Sequence, residues 1–416
     1  MLTPIVLLLL SASTSLQSES PSFDTIQHRA FDFFMDETYP STGLTKDRAK
    51  NREPHDGAPH NMASIVCSGH MLASLAIGVE RGWISKTEAY ERALTCLNYF
   101  HDKMENNHGF YYHFVDWSNG ARWESCEISS VDTALFVNGA LVAAEYWPKT
   151  TVQRLALDIA DRIDWKWMAT DGGAKPTETS PSMGWHPERG FIKDRWNFYT
   201  EACHLYLLGL GNPTDKALPP AAWDAWQFKM GKVAGFDVFD GAHPIFWAQM
   251  TSPYYDLRGL EDRQGRNWWQ MWINAHLADN AYCAQHPQWK TYAAGFWGLN
   301  AMDSPDGYAA DEPRDGGNSG TVSPTAMIGS LLFTPALAEK ARVDLGKTQN
   351  ESFGNYGYCD ALNIDRKWYD PDVLGLDLGM MILNVENART GLIWKLMKKS
   401  RYYKRALSKA GFHKAH

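Results

Sequence analysis

Eleven stretches of this sequence repeat apolar residues at the spacing of an α-helix, and almost nothing between them alternates as a strand would. Read against a period of 3.6 residues, they run over roughly 25–36, 62–81, 86–104, 130–147, 151–167, 195–210, 219–228, 267–286, 322–332, 335–345 and 374–398. Stop signals agree at several ends: Gly82 after the second stretch, Pro148 after the fourth, and Gly211-Asn212-Pro213 after the sixth. A mostly helical chain is the consequence. Two strand signals interrupt the pattern. One is 109-GFYYHFVDWSNGARW-123 with a turn at Asn119-Gly120; the other is 185-WHPERGFIKDRW-196 with its turn at Glu188-Arg189-Gly190. Each sets aromatic and ionisable residues just before a helix.

No Pro- or Ser-rich linker, charge block or low-complexity tract divides residues 21–400, so residues 21–416 read as one domain. Its 44% hydrophobic content is ample for a large core. Helices that arrive in pairs, with long aromatic-rich loops to one side, have few compact solutions. The expected fold is all-α: a closed ring of helical hairpins, an (α/α) toroid with a cleft at one end. An α-solenoid is the competing arrangement.

The first 20 residues, MLTPIVLLLLSASTSLQSES, place an apolar run before small residues and read as a secretory signal peptide, which predicts a periplasmic or secreted protein. No later stretch is long and uncharged enough to span a bilayer. The net charge is −8 and Lys and Arg are scattered, so neither nucleic acid nor an anionic membrane is an expected partner. Cys67, Cys96, Cys126, Cys203, Cys283 and Cys359 form no C-x-x-C pair and read as small buried thiols, with room for one long-range disulfide. His55 and His60 are too far apart for a metal site, and His101, His108 and His113 lack ligand spacing. The acidic run 303–317 lacks a calcium-loop pattern and reads as a mobile surface loop. With no phosphate-binding glycine loop and no nucleophile elbow, no cofactor and no metal are expected.

The chemistry left open is that of carboxylates. In 123-WESCEISSVDTALF-136, Ser129 has the position of an N-cap with Asp132 at capping-box spacing, but capping leaves Glu127 unexplained. In 194-DRWNFYTEACHLYLLGLG-211, Asp194 would cap a helix and Glu201 would lie about two turns in. If that helix is an inner one, burial raises the carboxyl towards what a general acid needs; the alternative is an exposed glutamate. Asp256 and Arg258 sit among tyrosines as either a salt bridge or a site contact. Asp377, Glu386 and Asn387 interrupt an apolar helix; they either tie helices together or, for Asp377 first of all, reach a ligand. Eighteen Trp supply flat apolar faces that suit either a core or a sugar-binding cleft.

As a set, blocks such as FDFFMDETYPSTGLTKDR (31–48), RWESCEISSVDTALFVNGAL (122–141), SMGWHPERGF (182–191), FYTEACHLYLLGLG (198–211), FWGLNAMDSPDGY (296–308) and WYDPDVLGLDLGMMILNVENARTGLIWK (368–395) resemble the bacterial glucoamylase-like family, which includes endo-β-1,2-glucanases. The resemblance implies an (α/α)6 barrel that hydrolyses glucan linkages, with Glu127, Asp132 and Glu201 at acidic cleft positions and no nucleotide or redox cofactor. It further implies inversion at the anomeric carbon, with Glu201 as acid and Glu127 or Asp132 on the base side. The expectation is an endo-acting hydrolase of β-1,2-glucan, working as a monomer on a glucan or oligosaccharide. The alternatives are an exo-hydrolase or transglycosylase on another glucan, or a glycan-binding protein. Expected substrate contacts are Trp123, Trp185, Trp196, Tyr199, Asp256, Arg258, Trp297, Trp368 and Asp377. Two departures from the family pattern, His70 in place of an aromatic residue and the altered segment 316–326, point to retuned subsites or loops.

Overall fold

A computed structural model describes residues 20–52 and 60–415; the signal-peptide reading of residues 1–20 falls, but for Ser20, outside them. Six helices form an inner ring: α2 (Ile65–Arg81), α4 (Ser130–Tyr146), α6 (Cys203–Gly211), α7 (Phe246–Thr251), α9 (Pro324–Gly329) and α11 (Gly375–Arg389). Each touches the next, and α11 returns to α2, closing the ring. Outside it lie α1 (Phe23–Asp36), α3 (Lys86–Asp102), α5 (Thr151–Arg162), α8 (Trp268–Gln285), α10 (Pro335–Thr348) and α12 (Arg401–Ala410). The fold is the expected (α/α) toroid.

The two rings differ in sequence because they differ in surroundings. Every residue of α6 is buried, as is the run Ile65–Gly78 of α2, so these helices are apolar on all sides. The outer helix α5 buries only Val152, Leu155, Ala156, Ile159 and Ala160, one face at helical spacing. Where α2 meets α4 the backbones touch: a Cβ on Gly139 would lie 1.9 Å from the Gly69 carbonyl oxygen. Between α2 and α11, a Cβ on Gly379 would lie 1.9 Å from Nδ1 of His70, which is buried in the core. His70 therefore packs helix against helix and retunes no subsite. Glu386 and Asn387 do tie helices, through Arg81 at 2.8 Å and the Pro253 carbonyl at 2.9 Å respectively.

Short strands gather at one end of the ring. They are β1 (Arg48–Lys50), β2 (Met62–Ser64), β3 (Phe114–Asp116), β4 (Ile128–Ser129), β5 (Gly184–His186), β6 (Gly190–Phe191), β7 (Ala301–Met302), β8 (Ala309–Ala310) and β9 (Asp372–Leu374). Antiparallel pairs β1–β9, β2–β3 and β7–β8 and the sheet β4–β5–β6 stitch the loops together. Strands β2, β4 and β9 each run straight into an inner helix, so this end is where inner helices begin. Both sequence-predicted turns form, with Gly120 and Gly190 at positive φ. All six cysteines are free thiols, five of them buried. Among the described residues no helix is long and apolar enough to cross a membrane.

The sixth predicted helix starts later than its pattern suggests. Asp194 caps nothing: its carbonyl accepts the Met183 N–H at 3.0 Å, and the Arg195 guanidinium is fixed to the Ser180 carbonyl and to Asp171 at 2.7 Å. These ties hold residues 194–196 against 180–183, and the helix begins only at Cys203. Glu201 consequently sits on the turn before the helix. The 303–317 run lies largely at the surface, as expected; it forms the tip of the β7–β8 hairpin with strand β8, and contributes a wall residue to the cavity described next.

Candidate active site

The ring encloses a cavity of about 700 Å³ at the end where inner helices begin. Its walls are largely apolar, with Met62, Leu135, Ile192, Phe246 and Met380 among them, and converging on it are Asp47, Arg48, His113, Glu127, Asp132, Glu201 and Asp377. Asp132 and Asp377 occupy the same place in their helices, the third residue of α4 and of α11. There the unpaired N–H groups and the positive end of the helix dipole favour a carboxylate. Ser129 caps α4 as expected: its hydroxyl accepts the Asp132 N–H at 3.3 Å and donates to the Asp132 carboxylate.

His113 on the loop before β3 joins the acids of this wall. Its Nδ1 lies 3.0 Å from Oε1 of Glu127 and its Nε2 3.5 Å from Oδ1 of Asp132. Burial alone would lower the histidine, but the charge of Asp132 and the hydrogen bond and charge of Glu127 hold it up at about 9. Against the same burial, His113 holds Glu127 down at about 2. Glu201 has no such partner. Burial, reinforced by the charge of Asp132 and only partly offset by a backbone hydrogen bond, lifts it to about 7. One cavity thus contains a carboxylate that stays ionised and a carboxyl that keeps its proton near neutrality.

A second acidic group lies behind Asp377. Asp377 accepts from Asn300 Nδ2 at 2.9 Å and hydrogen-bonds Asp360, which is fully buried and also accepts the Asp303 N–H at 2.8 Å. Burial raises both carboxyls; the charges of Asp377, Asp370 and Asp303 add to it at Asp360, and those of Asp47 and Asp303 add to it at Asp377, where the hydrogen bonds with Asp360 and Asn300 act the other way. Arg48 spans the rim, 3.2 Å from Asp47 and 2.7 Å from Asp303.

Among the described residues, two groups of three could hold a metal ion, with the ligand atoms of each group within 4.8 Å of one another: His113, Glu127 and Asp132, and Asp303, Asp370 and Asp372. In the first, His113 lies between the two carboxylates, 3.0 Å from Glu127 and 3.5 Å from Asp132. In the second, Arg48 reaches Asp303 at 2.7 Å and Lys50 reaches Asp372 at 3.1 Å, so two protein cations already answer those charges.

Of the residues singled out from sequence, Glu127, Asp132, Glu201, Asp377 and Trp196 line the cavity. The Trp196 ring is fixed by its Nε1 donating to Ser130 Oγ at 2.9 Å. The others lie elsewhere. Trp297 is core, 2% exposed, and Tyr199 is buried in a cluster with Trp226, Phe228, Phe239 and Trp268. Asp256 is an ion-pair hub held by Arg258 at 2.7 Å and Lys398 at 2.6 Å. Trp123, Trp185 and Trp368 are half-buried and do not reach the cavity wall. Asp47, Arg48 and His113 also line the cavity, with Asp360 behind Asp377, and the sequence reading passed over all four. Asp47 and Arg48 end one of the quoted blocks, and His113 stands between two aromatics in another, which was the available signal.

Comparison with known proteins gives this site a context. The glycoamylase family model, described as "Putative glucoamylase", matches residues 193–401. A solved structure of that same description from Bacteroides fragilis NCTC 9343 is 27% identical and superposes with a TM-score of 0.85, over 95% of this chain and 99% of that one. An endo-β-1,2-glucanase of Chitinophaga pinensis, solved with sophorotriose and glucose, is 24% identical with a TM-score of 0.83, over 94% of this chain and 97% of that one, a likeness of fold. An exo β-1,2-glucooligosaccharide sophorohydrolase (non-reducing end) of Parabacteroides distasonis is 23% identical over 428 aligned positions, covering 93% of this chain. The chain spans 57% of the length of that relative.

Proposed function

The chain belongs to the glycoamylase family and is a glycoside hydrolase, and from that premise we propose that it cleaves β-1,2-linked glucan internally, outside the cytoplasm, with inversion at the anomeric carbon. The observation that carries the mechanism is the pairing in one cavity of Glu201, at about 7, with Glu127, at about 2. Glu201 protonates the departing glycosidic oxygen. The base is the Glu127/Asp132 pair, held together by His113, and this carboxylate pair removes a proton from the attacking water. Water attacks the face opposite the leaving group, so a β linkage yields an α product. The apolar walls and the fixed Trp196 ring suit the faces of sugar rings, and Asp47, Arg48 and Asp377 suit their hydroxyls.

The linkage and internal cleavage rest on the relatives. Both named for a defined substrate act on β-1,2-linked glucose chains, and the endo-acting one is matched along 97% of its chain. The test is product analysis after incubation with linear β-1,2-glucan, with starch and laminarin as comparators. Short β-1,2 oligomers of mixed length are expected. Release of one fixed disaccharide would replace the endo reading by an exo one, and turnover of starch alone would remove the β-1,2 assignment.

A further inference from the structure

Among the described residues, three large hydrophobic side chains are exposed: Phe198, Met230 and Tyr308. Of these only Tyr308 forms part of the cavity wall. At 60% exposure its ring stands in water at the mouth, whereas Trp196, the other flat ring on the wall, is 7% exposed and pinned by Ser130. An apolar face left open beside a cavity gains free energy when a ligand covers it.

The segment holding Tyr308 is anchored. It ends the tip of the β7–β8 hairpin, whose register pairs Ala301 with Ala310 and Met302 with Ala309. At the start of the tip, Asp303 donates its N–H to Asp360 and accepts Arg48 at 2.7 Å. Within it, Ser304 Oγ donates to the Gly307 carbonyl at 2.6 Å and accepts the Asp306 N–H at 3.2 Å, and Arg366 reaches Asp306 at 3.2 Å. Gly307 supplies the positive φ that turns the chain back towards Tyr308. The ring is therefore presented ready-placed on an anchored tip, an arrangement that lowers the ordering cost of binding.

We propose that Tyr308 is a carbohydrate-binding residue at the mouth of the cavity, stacking on a glucosyl unit outside the pair joined by the scissile bond. The inference rests on the glycan-hydrolase reading and adds a subsite to it. A contact remote from the reacting atoms is made equally in ground and transition states, so its loss raises KM and leaves kcat in place. Tyr308→Ala is expected to raise KM on the polymer about tenfold, with kcat within about twofold of wild type. Tyr308→Phe and Tyr308→Trp should keep the wild-type KM. Because the side chain is exposed, the unfolding midpoint of Tyr308→Ala should match wild type.

The experiment is steady-state kinetics of the wild type and the three variants on the glycan the wild type turns over, with urea unfolding in parallel. A Tyr308→Ala KM within twofold of wild type overturns the subsite while leaving the hydrolase reading intact. A loss of stability that accounts for the activity lost also overturns it. A wild-type enzyme that turns over another glycan changes only the linkage, and the KM comparison on that glycan decides the subsite. A wild type that neither cleaves nor binds any glycan overturns both.

Discussion

Replacing His113 by Gln should cost a definite amount of stability in a definite pH window. The histidine stands at about 9 against an ordinary 6.5, and its partner Glu127 at about 2 against 4.5. At 1.36 kcal/mol per pKa unit each displacement corresponds to about 3 kcal/mol, and because both describe the same contact they are not added. The side chains are 28% and 26% exposed, and solvent screening brings the expected loss to about 2 kcal/mol. A raised histidine stabilises fully below its ordinary pKa and loses that contribution as pH rises through about 9. A depressed glutamate stabilises fully above 4.5 and loses its contribution as pH falls through about 2. The full effect therefore lies between 4.5 and 6.5. In urea unfolding the gap between wild type and His113→Gln should be about 2 kcal/mol near pH 6 and under about 0.5 kcal/mol near pH 10. An equal gap at both pH values would refute the ion pair and leave only packing.

Glu201→Gln should lower kcat by about 10²–10⁴-fold while oligosaccharide binding persists, as measured by kinetics and calorimetry; near-normal turnover would remove Glu201 as the acid. In the wild type, kcat/KM should fall as pH rises through about 7, where Glu201 loses its proton, and a profile flat to pH 9 would contradict that role. Gly139→Ala should destabilise by about 3 kcal/mol or fail to fold, because its methyl would meet the Gly69 carbonyl oxygen at 1.9 Å; a wild-type unfolding curve would show that α2 and α4 do not cross there.

The architecture was legible because the two rings impose different patterns. Inner helices such as α4 read as continuous apolar runs and outer ones such as α5 as a single face. Helix α7 has six residues, too few to show a period, and its sequence gave no warning of it. Of the candidate site, Asp132 and Asp377 were legible as carboxylates at helix starts, and Glu127 as an acid that capping left unexplained. Glu201 was found with the wrong local structure, because side-chain anchors such as Arg195 to Asp171 are invisible to periodicity. Trp297 and Tyr199 were misplaced for a plainer reason: a flat ring serves a core as well as a cleft, and sequence does not show which neighbours it meets. Arg48 and His113 depend on strand pairings between distant segments, β1 with β9 and β2 with β3, and no local pattern predicts those.

The most direct test of the account is the anomeric form of the first product. Proton NMR during early turnover of linear β-1,2-glucan should show the α-anomer appearing before mutarotation mixes the two, as required if Glu201 donates the proton and the Glu127/Asp132 side activates water. Early accumulation of the β-anomer would mean a covalent intermediate, and the division of labour drawn here between these carboxylates would be wrong.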